Sequence, residues 1–510
     1  MSKLDQQQAS SVLTDSTADP STTTPESIPF TAGIPMASAV SNAGAGAAGP
    51  GLGWKDPPKG LELAQVHYLV RHGERTPVRS RLTHIFPEKW NLCRAGREFD
   101  ACVLELSSTQ NSIPPFEVGQ VPPGKTATMY SSIMRMRRSV ETESSISGHA
   151  SKDEQGECML GELTDLGRLS TLRFGRELRS LYVDRLGFLP PLLTSKDSDA
   201  LYFRSTNMGR TIESLEQVIR GLHSNDVQSR TEDQFIPKVL VRNGTDENLL
   251  PNTYGCSRLG ALDRAFADAT ARLLNPSLEQ FDSQLESVAG FKPRVDGRPR
   301  LNGIVDTVKA AQAHGFPMPA ALSEPRMMRK FEDAIVAEWF SGYNAADPEQ
   351  RSEFRRLAMG RLVNDLAKRM SSRAQNGQQD PLKFAVYATH DTALAGLLNT
   401  LDCFDGRWPK FTASVGVELF RDTSTTPSML SRLQSLVGLR SAQQPHYVRV
   451  RYGDRDMKLP ACAAKDKHYQ GRPELCTLQA FMGIAQSLQH PKGWTWEQQC
   501  AVGQGPKSSK

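Results

Sequence analysis

The 510-residue chain has no run of eighteen apolar residues, which excludes a membrane-spanning helix. It has no strong excess of either charge. Against 61 basic side chains stand 56 acidic ones, and a net charge of +5 is too small to argue for a nucleic-acid partner. The eight cysteines, Cys93, Cys102, Cys158, Cys256, Cys403, Cys462, Cys476 and Cys500, show no paired C-x-x-C spacing, which argues against structural zinc. They are too thinly spread to read as a disulfide framework, although Cys462 and Cys476 are close enough in sequence to be bridged. The first 58 residues contain no arginine and no basic start followed by an apolar stretch, so they read as neither a secretory signal nor a mitochondrial presequence. No P-loop, no G-x-S-x-G elbow and no H-E-x-x-H helix occurs.

What is present is enough for a large core. Hydrophobic residues make up 38% and charged residues 23%, which rules out global disorder. The length suits two to four domains, or one large α/β domain with insertions. Residues 1–58, rich in Ser, Thr, Ala, Gly and Pro, read as a disordered tail, and 501–510 as a flexible end.

Three short apolar runs read as buried strands: 63–70, 201–203 and 383–388. Each ends in a polar cluster, and the second and third then enter helical patterns, at 211–219 and 392–398. Strand, polar turn and helix in repetition predict an α/β sheet, with ligands outside the carboxyl ends of the strands. Alternating segments at 415–420 and 447–452 predict an antiparallel extension. Thr164 is placed to cap a helix reaching about Tyr182. The pattern predicts a catalytic α/β domain over 59–223 and 376–500. An insertion at 78–160 and a mostly helical cap at 224–375, with helices near 262–274 and 327–340, interrupt it.

The first polar cluster is Arg71-His72-Gly73-Glu74-Arg75-Thr76-Pro77. Arginine forks suit phosphate oxygens, and flanking cations keep an imidazole neutral and therefore nucleophilic. Gly73 would let the backbone approach a ligand, and Glu74 would pair with one of the arginines. Five fixed positions arise by chance in roughly one of several thousand chains of this length, so the motif is strong. His390-Asp391 ends the third strand and offers a phosphate donor and a proton donor. Arg204, in Arg204-Ser-Thr-Asn207, is the expected third arginine on the phosphate. Thr206 or Asn207 would cap the following helix, and Arg210 reads as a helix-start residue. His67, inside the first strand, reads as a packed histidine, and Arg135, Arg137 and Arg138 as a solvated basic face.

Arg71-His-Gly-Glu-Arg-Thr-Pro77 together with His390-Asp391 resembles the histidine acid phosphatases, the larger branch of the phosphoglycerate-mutase-like superfamily. The resemblance runs from about Leu63 to Cys500. The stretches 161–167, 203–207 and 401–411 are similar to those of lysophosphatidic acid phosphatases. The resemblance implies a mixed, mostly parallel sheet with helices on both faces and an inserted helical cap. It implies His72 as the nucleophile that becomes phosphohistidine, with Arg71, Arg75, Arg204 and His390 binding the phosphate. Asp391 would protonate the leaving alkoxide. It implies neither metal nor cofactor.

The expected activity is that of an acid phosphatase acting on a small-molecule phosphate monoester, with a lysophospholipid as the leading candidate. The alternatives are an inositol-phosphate or broad-specificity acid phosphatase and, from another class, an inactive phosphate-binding interaction protein. Met318, Met327, Met328, Phe331, Trp339 and Phe340 lean the cap slightly apolar, in favour of a lipid channel. The expected compartment is the cytoplasm. The resemblance alone supplies the mitochondrion as an alternative.

Overall fold

The computed structural model describes residues 53–106, 129–140, 156–223, 235–424 and 444–501. Residues 1–52 of the tail expected over 1–58, residues 502–510 of the end expected over 501–510, and the turns near Pro114 and Pro122 lie outside them.

The strands in chain order are β1 (Leu61–Arg71), β2 (Glu98–Leu106), β3 (Met129–Arg137), β4 (Leu201–Ser205), β5 (Val239–Leu240) and β6 (Phe384–Thr389). They are followed by β7 (Ser414–Asp422), β8 (His446–Tyr452), β9 (Arg455–Met457), β10 (His468–Tyr469) and β11 (Arg472–Thr477). All but β2 and β3 form one mixed sheet, ordered β10-β11-β8-β7-β1-β6-β4-β5 with β9 paired to β8. The strands β1, β6, β4 and β5 are mutually parallel. From β7 outward every pairing is antiparallel, so this wing extends beyond the two strands expected from sequence.

Both faces are covered, as parallel strands require. Side chains alternate across a strand, so Val66, Tyr68 and Val70 of β1 face one core. There they meet Phe174 and Leu178 of the helix Asp165–Arg179 and Leu215 and Val218 of the helix Gly209–Leu222. Leu69 faces the other core, with Leu394 and Leu397 of the helix Asp391–Thr400 and Leu362 and Leu366 of the helix Arg361–Asn376. A third core joins Leu82, Phe86 and Trp90 to the helices Leu301–Ala313 and Pro325–Trp339. The early part of the 78–160 insertion thus belongs with the cap helices. The helix Arg361–Asn376, expected in the cap, packs on the sheet because its apolar face meets β1 and β6 residues.

Parallel register assembles the site. Arg71 pairs with Thr389 and Ser205 with Ala388, so the residues just beyond the three strand ends become neighbours. His72 N–H donates to the Thr389 carbonyl at 3.0 Å, and Thr206 N–H to the Ala388 carbonyl at 3.2 Å.

Six of the eight cysteines are paired: Cys93–Cys158, Cys256–Cys500 and Cys462–Cys476. This corrects the expectation that they are too sparse for a disulfide framework. Partners as far apart as 244 residues are brought together by folding, which linear spacing cannot register. Cys102 and Cys403 are free, so the denatured, unreduced chain should titrate two thiols. Replacing Cys256 by Ser should cost about 2–5 kcal/mol by releasing a long closed loop. An unchanged urea midpoint would contradict that.

Candidate active site

The loop after β1 is held from outside by the segment before the helix Asp165–Arg179. Thr76 N–H donates to Glu162 O at 3.1 Å, and Thr164 N–H to Glu74 O at 3.0 Å. Thr164 caps that helix as expected, its hydroxyl accepting from Gly167 N–H. Gly73 is glycine because of this helix. A Cβ there would lie 2.3 Å from the Gly167 carbonyl oxygen. Helix packing, rather than the ligand approach expected from sequence, fixes it. Glu74 accepts from Ser170 Oγ, and among the described residues no arginine lies within ion-pair distance of it. This corrects the expected pairing: the helix offers a nearer donor.

His72 is buried beside the rings of His390, 5.6 Å away between centroids, and Phe411. Its Nδ1 lies 2.9 Å from the Gly73 carbonyl oxygen. A carbonyl can only accept, so Nδ1 carries the hydrogen and the neutral ring's lone pair is on Nε2. Burial, then the Arg71, Arg210 and Arg75 guanidiniums, holds the imidazole well below its ordinary pKa. The ring is thus neutral, with the Nε2 lone pair available.

Arg71 Nη1 donates to Pro409 O at 2.6 Å, Nη2 meets Asp391 Oδ2 at 2.6 Å, and the guanidinium stacks on Phe411 at 4.2 Å. Arg75 grips Asp306 on the cap helix Leu301–Ala313 through both terminal nitrogens, at 3.1 and 2.8 Å. Arg210 sits in the first turn of the helix Gly209–Leu222, with no carboxylate in ion-pair distance among the described residues. Burial and the neighbouring Arg75 lower its pKa to about 10. The Nε–H groups of Arg71, Arg75 and Arg210 are all buried without a protein acceptor. Such orphaned donors are costly unless a ligand accepts from them.

His390 Nε2 lies 3.0 Å from Thr206 Oγ1, and burial with nearby Arg210 lowers its pKa to about 3. Asp391 opens its helix. Burial raises its pKa, but Arg71, Arg75 and the Trp408 indole outweigh that and hold the carboxyl below its usual value. The Trp408 N–H donates to Asp391 Oδ2 at 3.0 Å.

Arg71, His72, Arg75, His390 and Asp391 therefore converge. Arg204 does not join them. Its guanidinium is buried in an ion pair with Glu247 and donates to Asn248 Oδ1 at 2.8 Å. Arg204 is still within β4, where it lies on the same side as Tyr202, so its fork is spent bracing the 247–249 turn. The third arginine of the cluster is Arg210, which reads from sequence as a helix-start residue. A signal was available: a cation in a helix's first turn opposes the helix dipole, so its presence asks for an anion. Thr206 serves His390, and the residue preceding that helix is Met208, without a side-chain cap.

The lesser candidates stay structural. His67 is buried between Tyr387 OH at 3.2 Å and Gln65 Oε1 at 2.9 Å. Arg135 and Arg137 pair across the β2–β3 ribbon with Asp100 and Glu98, both at 3.5 Å. Met327 and Phe331 are cap core and Phe340 is sheet-side core, so they supply no channel. Among the described residues no helix is long and apolar enough to cross a membrane.

The family model of the histidine phosphatase superfamily (branch 2) matches residues 62–453. A probable acid phosphatase of Schizosaccharomyces pombe is 33% identical over 465 residues, 85% of this chain and 93% of that protein. Human lysophosphatidic acid phosphatase type 6 is 26% identical over 371 residues, 71% of this chain and 74% of that protein. Among solved structures, the apo form of Hafnia alvei phytase superposes with a TM-score of 0.51 at 14% identity, covering 86% of this chain and 100% of that one, which speaks to the fold. A match that runs from β1 through β8 covers well over half of the sequence, and the chain accordingly belongs to the histidine phosphatase superfamily, branch 2.

Proposed function

We propose that this phosphatase hydrolyses phosphate monoesters in two transfers through a phosphohistidine at His72 Nε2. The observation that carries the reading is a neutral imidazole, its Nε2 lone pair free, among three guanidiniums whose Nε–H groups lack a protein acceptor. Nε2 attacks phosphorus and the ester P–O bond breaks. Protonated Asp391 gives its proton to the departing alkoxide. Water then attacks the phosphohistidine, and the Asp391 carboxylate takes a proton from it. Arg71, Arg75 and Arg210 stabilise the charge on the transferring group. In the test, a labelled monoester mixed with the enzyme at acid pH, with chelator present, should leave phosphate covalently bound after an alkaline quench. Turnover without any such intermediate would overturn the reading.

Arg210→Ala should lower kcat/KM by about 10²–10³-fold, the usual loss for one transition-state donor. Arg204→Met should instead destabilise the fold by about 3–5 kcal/mol, because it strands a buried Glu247, while the folded fraction keeps kcat/KM within a few-fold. The reverse pattern, read by thermal melts and initial rates, would return Arg204 to the site.

For the substrate, similarity to lysophosphatidic acid phosphatase type 6 supports a lysophosphatidate. A second reading, an inositol phosphate, is favoured by Arg81, half-buried on the loop after Pro77 and facing Asp306, the partner of Arg75. Phosphate release across lysophosphatidates, inositol phosphates and sugar phosphates separates the two. The three disulfides support an oxidising compartment in place of the cytoplasm, where thiol buffers keep cysteines reduced.

A further inference from the structure

The segment 407–411 is a strap between the cap and the strand ends. Arg407 reaches Asp333 at 3.0 Å, and Trp408 N–H donates to Glu332 Oε1 at 2.8 Å, both on the helix Pro325–Trp339. Pro409 O and the Phe411 ring hold Arg71. The Trp408 ring packs edge-on against Trp339 at 5.6 Å and beside Phe340 at 5.7 Å, which fixes its indole. Its only polar atom is spent on Asp391 Oδ2, the oxygen that also meets Arg71.

We propose that Trp408 is a positioning residue for the proton donor: its indole N–H fixes Asp391 Oδ2 beside Arg71 and so governs the acidity at which the leaving group can be protonated. The inference rests on the reading of Asp391 as the acid. An indole N–H can donate but never accept. Donated to a carboxyl, it favours the ionised form, and its removal favours the acid. The other groups facing Asp391 are Arg71, Arg75, Arg210 and His390, and its Oδ1 accepts from Thr392 N–H at 2.8 Å. Of the side chains that directly contact the carboxyl, Trp408 is the uncharged one. Its replacement removes a hydrogen bond without changing the charge of the site.

Trp408→Phe keeps the ring packing and deletes the N–H. The ratio of variant to native single-turnover rate for the first transfer, at saturating substrate, reports the donor in the complex and cancels the ionisation of that substrate. For an alkyl phosphate such as glycerol 3-phosphate this ratio should climb about three- to tenfold from the acid to the neutral end of the profile. That is the effect of raising the donor by roughly half to one pH unit. For p-nitrophenyl phosphate, whose leaving group departs unprotonated, the ratio should stay flat with pH. A purely structural role would give a flat ratio for both substrates and would overturn the proposal. If Trp408→Phe fails to fold, Trp408→Met is measured in the same way, with the same two outcomes. Asp391→Asn, run alongside, separates the two ideas. If it spares alkyl phosphates, the reading of Asp391 fails. If it removes their turnover while the Trp408→Phe ratio stays flat, only the present inference fails.

Discussion

Replacing His72 by alanine should abolish hydrolysis of every phosphate monoester, lowering kcat by about 10⁴-fold or more, as loss of a nucleophile does elsewhere. It should also remove the alkali-stable, acid-labile phosphate that the native enzyme carries during turnover. The size of the effect follows from the site. Among the described residues around the three guanidiniums, His390 has its Nε2 against Thr206 and Asp391 is bound to Arg71 and Trp408, so neither stands in for the free Nε2 of His72. The arginines are untouched by the substitution, so inorganic phosphate should still bind within a few-fold of its native affinity by calorimetry. Loss of chemistry with retained binding identifies a nucleophile. Retained turnover would remove His72 from that role, and loss of both would leave it a binding or structural residue.

Asp391→Asn should be the second-largest effect, and its size should depend on the leaving group. Asparagine has the same shape and can still accept from Trp408, but it has no acidic proton to give. Alkyl phosphates should lose about 10²–10⁴-fold in the first transfer, the usual contribution of a general acid. p-Nitrophenyl phosphate should lose far less. Equal losses would contradict the assignment. The pH dependence has a definite sign. In the free enzyme Arg71 holds the carboxyl below its ordinary value, so it is ionised over most of the pH range. A bound phosphate dianion competes for Arg71 and repels the carboxylate, which raises the pKa in the complex. The acid form therefore accumulates as pH falls, and native activity on alkyl esters should peak on the acid side and fall as pH rises. Asp391→Asn should lose that falling limb, and an optimum near pH 9 in the native enzyme would contradict the assignment.

The sheet core was legible because a strand buried on both faces leaves a short apolar run, and β1, β4 and β6 each left one. The polar clusters at their ends were legible for the same reason: apolar sequence stops where the chain leaves the sheet. The antiparallel wing was legible in β7 and β8, which alternate over several residues. The two-residue β10 and the turn-rich approach to β11 carry too little periodicity to register. The cap ends earlier than the 224–375 expected from sequence, because an amphipathic helix shows that it has an apolar face, but not which surface that face meets. The helix Arg361–Asn376 meets the sheet.

The Arg204 and Arg210 exchange has the same root. Arg204 lies one residue before the end of β4 and Arg210 five residues beyond it, and sequence position favours the one inside the buried strand. Strand direction sends Arg204 toward Glu247, more than forty residues away in sequence, and helix geometry returns Arg210 to the strand ends. Glu247 left no mark in the sequence as a partner. Likewise Trp408 and Asp306 gave no sign of touching Asp391 and Arg75, because both contacts depend on how the strap and the cap dock.

The linear chain alone settled which chemical groups stand at the strand ends: an imidazole between guanidiniums, and a second histidine followed by a carboxylic acid. It could do so because local apolar patterning fixes where a strand stops. Folding in three dimensions decided which arginine completes the cluster, which nitrogen of His72 is free and what tunes Asp391. It also decided which cysteines join. Those outcomes depend on side-chain direction and on contacts between distant segments, and neither is encoded in local spacing.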